Sequence, residues 1–274
     1  MKTYLITKDH FNTQEEFELR YNQNLDMLIT HPQPTDLSSY YKSEAYISHS
    51  DDSKTLLSKI YQIVKSYSIF KKIKLINKFP SPNKTLLDIG AGTADFLLAS
   101  QKKNWKIQGV EPNTLAQKNA TLKGVTLHPD LSQIKTTFDV ITLWHVLEHL
   151  PNLQDQIQKI HALLNPEGRL IIAVPNYKSY DAQKYKTHWA AYDVPRHLWH
   201  FSKESISKLF INHDFIVTNT YPMYFDSYYV SLLSEKYKHG KNNYLSALWT
   251  GFLSNLKAQR SGEFSSLIYV IKKN

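Results

Sequence analysis

The chain has 274 residues, 33 of them basic and 24 acidic, for a formal charge of +9, and it has no cysteine. That length holds one large α/β domain with attachments or two small domains, with a core that needs no covalent staples. The missing thiols exclude disulfides, thiolate zinc sites and cysteine nucleophiles, and they fit a reducing, cytoplasmic setting.

Residues 1–50 are mixed and irregular in pattern, with His31-Pro32-Gln33-Pro34 as a breaker. The apolar run in Met1–His10 is too short for a signal peptide, and no stretch approaches the ~20 apolar residues of a membrane span, so a soluble protein is expected. From Leu56 to Ile76 apolar residues recur three and four apart, which predicts a long amphipathic helix over 54–79, ended by Pro80 and Pro82. Leu86–Ile89 then reads as a buried strand, Ala94–Lys103 as a helix, Lys106–Val110 as a second strand and Asn113–Lys123 as a second helix. Val125–His128 is a short third strand and Phe138–Leu143 a fourth. Leu153–Leu164 is a helix closed by Asn165-Pro166-Glu167-Gly168, and Arg169–Val174 is a fifth strand. Ser202 caps a helix running to about Asn212, Phe215–Tyr221 is a sixth strand and Ser266–Lys272 the last. Such alternation predicts a mostly parallel sheet with helices on both faces.

Ligands of open α/β sheets bind at the carboxyl ends of the strands, near the first strand-to-helix turn. Here that turn is Gly90-Ala91-Gly92, where glycine permits a sharp bend and close approach to a ligand. A lone Gly-x-Gly equally suits a dinucleotide enzyme. The dinucleotide fingerprint, however, wants a third Gly or Ala where this chain has Asp95, which disfavours a pyrophosphate on the helix N-terminus. Asp88 in the turn repels phosphates but suits an ammonium group. Glu111, at the end of the second strand, suits ribose hydroxyls.

At these residues the chain resembles a family. Leu86–Thr93 looks like motif I of class I S-adenosylmethionine-dependent methyltransferases, and Val110-Glu111-Pro112 like the acidic loop that follows it. Phe138-Asp139-Val140-Ile141 and Leu164–Leu170 resemble the fourth-strand motif and the turn into the fifth strand. Trp144-His145-Val146-Leu147-Glu148-His149-Leu150, and Asp193–Leu198 followed by His200-Phe201-Ser202, are similar to the small-molecule, ubiquinone-biosynthesis branch (methyltransferase types 11 and 23). The resemblance implies a Rossmann-like class I methyltransferase fold, α/β, with a seven-stranded mostly parallel sheet and an antiparallel last strand. It implies a domain plan of an N-terminal accessory segment (1–53), a core (54–221 and 265–274) and a helical, aromatic-rich insertion (222–264).

The resemblance also implies the cofactor, S-adenosylmethionine, with S-adenosylhomocysteine as its product. Asp88, Gly90, Ala91 and Gly92 would surround the methionine part, and Glu111 with Pro112 the ribose. Asp130 and Leu131 would meet the adenine, with Trp144 and His145 beside the sulfonium and Tyr46, like His49, on a lid. Asp130 reads equally as a cap for the next segment. For an acceptor hydroxyl a general base is needed, and His145, His149, His197 and His200 titrate in the right range, with Glu148 as the carboxylate alternative. In the ubiquinone-type members a divalent ion has been linked to the acid–His pair seen here as Glu148-His149. The same pair reads as capping and packing residues of a short helix. His197 and His200 lack an identifiable third ligand, so no metal is expected.

The expected activity is transfer of a methyl group to a small molecule, O-methylation favoured. The alternatives are an RNA-directed methyltransferase or a non-catalytic member of the fold. The basic charge favours anionic partners in general, although spread lysines also make an ordinary solvated surface. A nucleic-acid target is disfavoured, because Leu143-Trp144-His145-Val146 stands where base-amino methyltransferases carry an Asp/Asn-Pro-Pro-aromatic motif. The chain holds 18 tyrosines, crowded towards its C-terminal third, and the 222–264 insertion reads as two helices over the active site. Its aromatics suit an aromatic or lipid-like acceptor, or the interface of a homodimer.

Overall fold

A computed structural model describes residues 1–41 and 56–274, and the side chains of the helix from residue 62 onward. Tyr46 and His49, expected on a lid, lie outside the described residues. The chain opens on three strands, β1 (Lys2–Lys8), β2 (Glu16–Asn22) and β3 (Met27–His31), and continues with helix α1 (Leu56–Ile76). Then follow β4 (Thr85–Ile89), α2 (Asp95–Gln101), β5 (Lys106–Val110), α3 (Thr114–Leu122), β6 (Phe138–Trp144), α4 (Leu153–Leu163) and β7 (Leu164–Pro175). The remainder is α5 (Tyr180–Tyr185), β8 (Trp199–His200), α6 (Lys203–Ile211), β9 (Phe215–Pro222), α7 (Asp226–His239), α8 (Tyr244–Ser261) and β10 (Ser266–Lys273). No helix among the described residues is long and apolar enough to cross a membrane.

The main sheet has six strands in the order β5-β4-β6-β7-β10-β9, mostly parallel with antiparallel C-terminal strands. β4 is parallel to both its neighbours, with Asp88 opposite Gly109 on one side and Thr142 on the other. The expected third strand at Val125–His128 is a single parallel bridge between Val110 and His128, so the seventh strand is reduced to one pair. The N-terminal region departs from the sequence reading. Instead of irregular chain, β1, β2 and β3 form an antiparallel meander completed by β8.

Compact packing divides the chain into two units. One comprises residues 1–43, 145–153 and 172–269; the other comprises 44–144, 154–171 and 270–274. In the first, Phe17 and Leu19 of β2 and Leu28 of β3 pack with Tyr177, Trp189, Tyr192 and Val230. In the second, Leu86, Leu87, Ile89, Val140, Ile141 and Leu143 on the strands and Ile157 and Ile160 on α4 are buried. Asp139 joins the starts of three strands there. Its Oδ2 accepts from the backbone N–H groups of Asn83 (3.0 Å) and Thr85 (3.2 Å), and its Oδ1 accepts from Asn165 Nδ2 (2.9 Å). Helix α1 is less amphipathic than its spacing predicts. Ile73, Leu75 and Ile76 are buried, but Ile63, Tyr67 and Phe70 are exposed.

Candidate active site

In the second unit the chain leaves β4 through two left-handed residues, Gly90 (φ 73°) and Gly92 (φ 54°). Only glycine adopts this region without steric cost, so the turn requires both. The N–H groups of Gly90 and Ala91 both donate to the Val110 carbonyl, at 2.7 and 3.0 Å, which ties the turn to the end of β5. A Cβ added at Gly92 would have no neighbour within 4 Å, so the space above the loop is open. Glu111 spans the same corner. Its Oε2 accepts from Gly92 N–H and its Oε1 from Asn113 N–H, both at 2.9 Å. Pro112 lies between Glu111 and Asn113, whose side chain caps α3.

Beneath the loop Asp88 is 3% exposed and accepts one hydrogen bond from Thr142 Oγ1, at 2.5 Å. Burial pushes its carboxyl up to about 7, with Thr142 and Lys72 opposing the rise and Glu111 adding to it. Asp95 stands at the first position of α2, in ion pairs with Lys65 (2.7 Å) and Lys123 (2.6 Å). An acid in the first turn puts negative charge at the helix N-terminus where a pyrophosphate would bind, and so disfavours one there. Asp130 caps the turn at Leu131–Gln133, accepting from Ser132 N–H at 2.8 Å, and Leu131 is buried. Trp144 ends β6, edge-on to Phe96 with ring centroids 5.8 Å apart and beneath the Lys72 ammonium at 4.4 Å. Its buried indole Nε1 has no hydrogen-bond partner.

The residues that follow Trp144 belong to the first unit. His145 takes φ 57° and donates its backbone N–H to the Ala173 carbonyl, at 2.9 Å. Its ring lies between two carboxylates, Nε2 at 3.0 Å from Asp226 and Nδ1 at 3.4 Å from Glu148. Burial opposes charge on this ring, but Asp226 and Glu148 outweigh it and push the imidazole up to about 10. At neutral pH His145 is therefore a cation, able to donate a proton and unable to accept one. This departs from the expectation that it is a base.

Glu148 is 1% exposed, and neither carboxylate oxygen makes a hydrogen bond. Burial raises its pKa, yet His145, His197 and His149 together hold it below the ordinary value. His149 and His197 meet edge to face, with ring centroids 4.5 Å apart. Burial, then the neighbouring His197, depress His149 to about 4, so its ring is neutral at pH 7. His149 Nδ1 faces the Arg196 carbonyl and the Tyr41 hydroxyl, each at 3.0 Å, and His197 Nδ1 faces the Ala191 carbonyl at 2.9 Å. A carbonyl only accepts, so each Nδ1 carries a proton, and in the neutral His149 ring Nε2 offers the lone pair.

One carboxylate atom of Glu148 and one nitrogen each of His149 and His197 lie within 4.8 Å of one another. The fold thus joins His197, and not His200, to the acid–His pair Glu148-His149. A buried carboxylate that makes no hydrogen bond, beside two imidazole nitrogens, fits a divalent transition ion better than Mg²⁺ or Ca²⁺, which favour all-oxygen sets. His200 stands apart from this group. Its Nε2 is 3.0 Å from Thr30 Oγ1, and burial drives its pKa well below the ordinary value.

Three positions here escape the sequence reading. Arg196, 1% exposed, is held by Asp9 (2.9 Å) and Asp193 (2.5 Å). Its neighbour His197 and its own carbonyl, on His149, are positioned by that anchor. Asp226 and Tyr41 also reach the cluster, from α7 and the N-terminal region. Only the Asp193–Leu198 resemblance gave any signal, and only for Arg196 and Asp193.

The profile of a family described as "Methyltransferase domain" matches residues 46–220. The ubiquinone biosynthesis O-methyltransferase of Actinobacillus pleuropneumoniae serotype 7 (strain AP76) is 33% identical over 108 residues, 34% of this chain and 46% of that protein. Its counterpart from Haemophilus ducreyi (strain 35000HP) is 29% identical over the same length. The chain thus spans less than half the length of these curated relatives. Among solved structures, magnesium protoporphyrin IX methyltransferase from Synechocystis PCC 6803, with bound S-adenosylhomocysteine, superposes with a TM-score of 0.56 at 13% identity, covering 86% of this chain and 97% of that one. A cyclopropane synthase from Mycobacterium tuberculosis gives 0.52 at 15% identity, covering 74% and 84%. These likenesses establish the fold, and with the profile matched over more than half its length the chain belongs to the methyltransferase-domain family.

Proposed function

We propose that the chain binds S-adenosylmethionine in the glycine cradle and transfers its methyl group to the hydroxyl of a small-molecule acceptor. The cradle carries this reading. Two left-handed glycines, with open space at Gly92, a buried carboxylate beneath them and an acid at the end of β5 match the needs of an amino-acid head joined to a ribose. Asp88 faces the ammonium, and Glu111 keeps lone pairs for the ribose hydroxyls. Trp144, Asp130 and Leu131 are the remaining contacts proposed for the cofactor.

The sulfonium supplies the reactive methyl group. This chain's residues align the acceptor, exclude water and take up its proton, and alignment alone supplies about 7–11 kcal/mol in well-oriented reactions. His149 is the proposed base. Its ring is neutral, and a proton arriving there lies beside the Glu148 carboxylate. Glu148, His149 and His197 also fit a divalent ion, which when bound acidifies a hydroxyl. The absence of a hydrogen bond on either Glu148 oxygen supports that fit.

Calorimetry with S-adenosylhomocysteine tests the cofactor, and transfer from labelled S-adenosylmethionine to phenolic, carboxylic and amine acceptors tests the reaction. Absence of heat with S-adenosylhomocysteine refutes the reading. Methylation confined to amines refutes the oxygen acceptor. Cobalt(II) titration of chelator-treated protein is expected to give a visible absorption band in the parent chain that is lost in His197→Ala.

A further inference from the structure

Helix α8 is packed inside out. The residues it buries are Ala247, Thr250, Gly251, Ser254, Asn255 and Ala258. Its large apolar residues face outward: Leu245, Leu248, Trp249, Phe252 and Leu256 are 81, 56, 60, 47 and 47% exposed. Spacings of three and four residues put these five on one stripe. A globular helix ordinarily turns such a stripe to the core.

The small inner face follows from close approach to α7. A Cβ at Gly251 would lie 2.5 Å from Tyr228 Cδ1 and 2.9 Å from its Cα. Ser227 Oγ donates to the Gly251 carbonyl at 3.1 Å, joining the two helices by a buried hydrogen bond. The hairpin's own packing thus consumes small residues and leaves the leucines and Trp249 outside. Trp249 and Phe252 stack on each other, 5.7 Å between centroids, without being covered. A contiguous exposed apolar stripe of this kind marks an interaction surface.

Charge decides what covers it. Between residues 224 and 261 the only carboxylates are Asp226 and Glu235. Asp226 is paired with His145, and Glu235 is buried and accepts from Tyr185 Oη at 2.9 Å. The cations of the hairpin, Lys236, Lys238, Lys241, Lys257 and Arg260, are exposed. Lys241 lies three residues before the first residue of α8, and Arg260 continues the stripe one turn beyond Leu256. An antiparallel pairing of this face with a second copy sets Lys241 of one stripe against Arg260 of the other, with no hairpin acid to answer them. An anionic bilayer surface offers phosphates to both ends and hydrocarbon to the stripe between.

We propose that the α7–α8 hairpin docks the protein on an anionic lipid bilayer, with α8 lying in the plane of the interface. Leu245, Leu248, Phe252 and Leu256 enter the acyl boundary, Trp249 sits at headgroup level, and Lys241 and Arg260 hold lipid phosphates. The helix has 18 residues, and at about 1.5 Å per residue it lies on roughly 27 Å of surface. The chain's net charge of +9 draws it to the same surface.

The test is flotation of the full chain with vesicles of phosphatidylcholine and phosphatidylglycerol in equal parts, against pure phosphatidylcholine. The parent chain is expected to float with the anionic vesicles, and raising the salt is expected to release it. Leu245→Ser with Trp249→Ser is expected to lower the vesicle affinity at least tenfold. Lys241→Ala with Arg260→Ala is expected to lower it on the order of twentyfold, about fivefold per surface charge. All four residues are exposed, so an unchanged melting temperature in each double variant establishes its fold. Failure of the parent chain to float, or equal flotation by both double variants, overturns the proposal. So does a dimer in sedimentation that the Leu245→Ser, Trp249→Ser variant dissociates, since that assigns the stripe to a second copy.

Discussion

Replacing Asp88 by Asn separates what its burial costs the fold from what its charge gives the cofactor. The side chain is 3% exposed, its carboxyl stands at about 7 against an ordinary 3.8, and Thr142 is its hydrogen-bond donor. A folded-state value above the unfolded one means that the folded chain holds the proton longer. Stability therefore falls as pH rises from about 4 to about 7 and levels off above that. A rise of this size corresponds to about 4 kcal/mol, of which about 3 kcal/mol falls between pH 5 and pH 8. Asn keeps an acceptor for Thr142 and does not titrate. Urea denaturation of the ligand-free proteins is thus expected to show Asp88→Asn gaining about 3 kcal/mol on the parent chain between those pH values. Cofactor affinity moves the other way. The ammonium proposed beside Asp88 favours the carboxylate, so the parent's affinity for S-adenosylhomocysteine is expected to rise with pH, about tenfold per unit up to pH 7. Asp88→Asn loses both the affinity and its pH dependence. Parallel stability curves for the two proteins refute the raised carboxyl, and undiminished affinity in the variant refutes the placement of the ammonium.

Gly90→Val is expected to abolish the calorimetric signal with S-adenosylhomocysteine. A left-handed residue costs about 1–2 kcal/mol when it carries a Cβ, so cooperative unfolding persists, and retained affinity in this variant counts against the cradle. Glu148→Gln and His149→Ala are each expected to lower kcat by about 10²–10⁴-fold. Affinity for S-adenosylhomocysteine should hold in both, and wild-type kcat in both removes the proposed base. Arg196→Met leaves Asp9 and Asp193 without their buried cation, and a loss of about 3–5 kcal/mol in denaturation is expected. A melting temperature within a degree of the parent contradicts the anchoring role of Arg196.

The six main strands and the glycine turn were legible because their signals are local. β4, β6 and β7 carry apolar runs between helical patterns, and Gly90 and Gly92 stand where the backbone needs φ above zero. The N-terminal meander was not legible, because its turns contain no glycine or proline. At Asp9–Gln14 the chain reverses on Asp9, whose carboxylate accepts from the N–H groups of Phe11, Asn12 and Thr13, and on a left-handed Gln14. At Asn22–Asp26 it reverses on Asn22 and a left-handed Asp26. Such turns look like ordinary polar chain.

The glycine turn and the acid at its corner, Glu111, were readable because a tight turn and an acid at a strand end are set within a few neighbouring residues. The second cluster belongs to tertiary structure. His145, Glu148 and His149 are adjacent in sequence, yet His145 is a cation because Asp226 comes to it from α7. His149 is neutral through burial and the approach of His197. Protonation states are set by burial and by charges from distant segments, and only the folded chain brings those together.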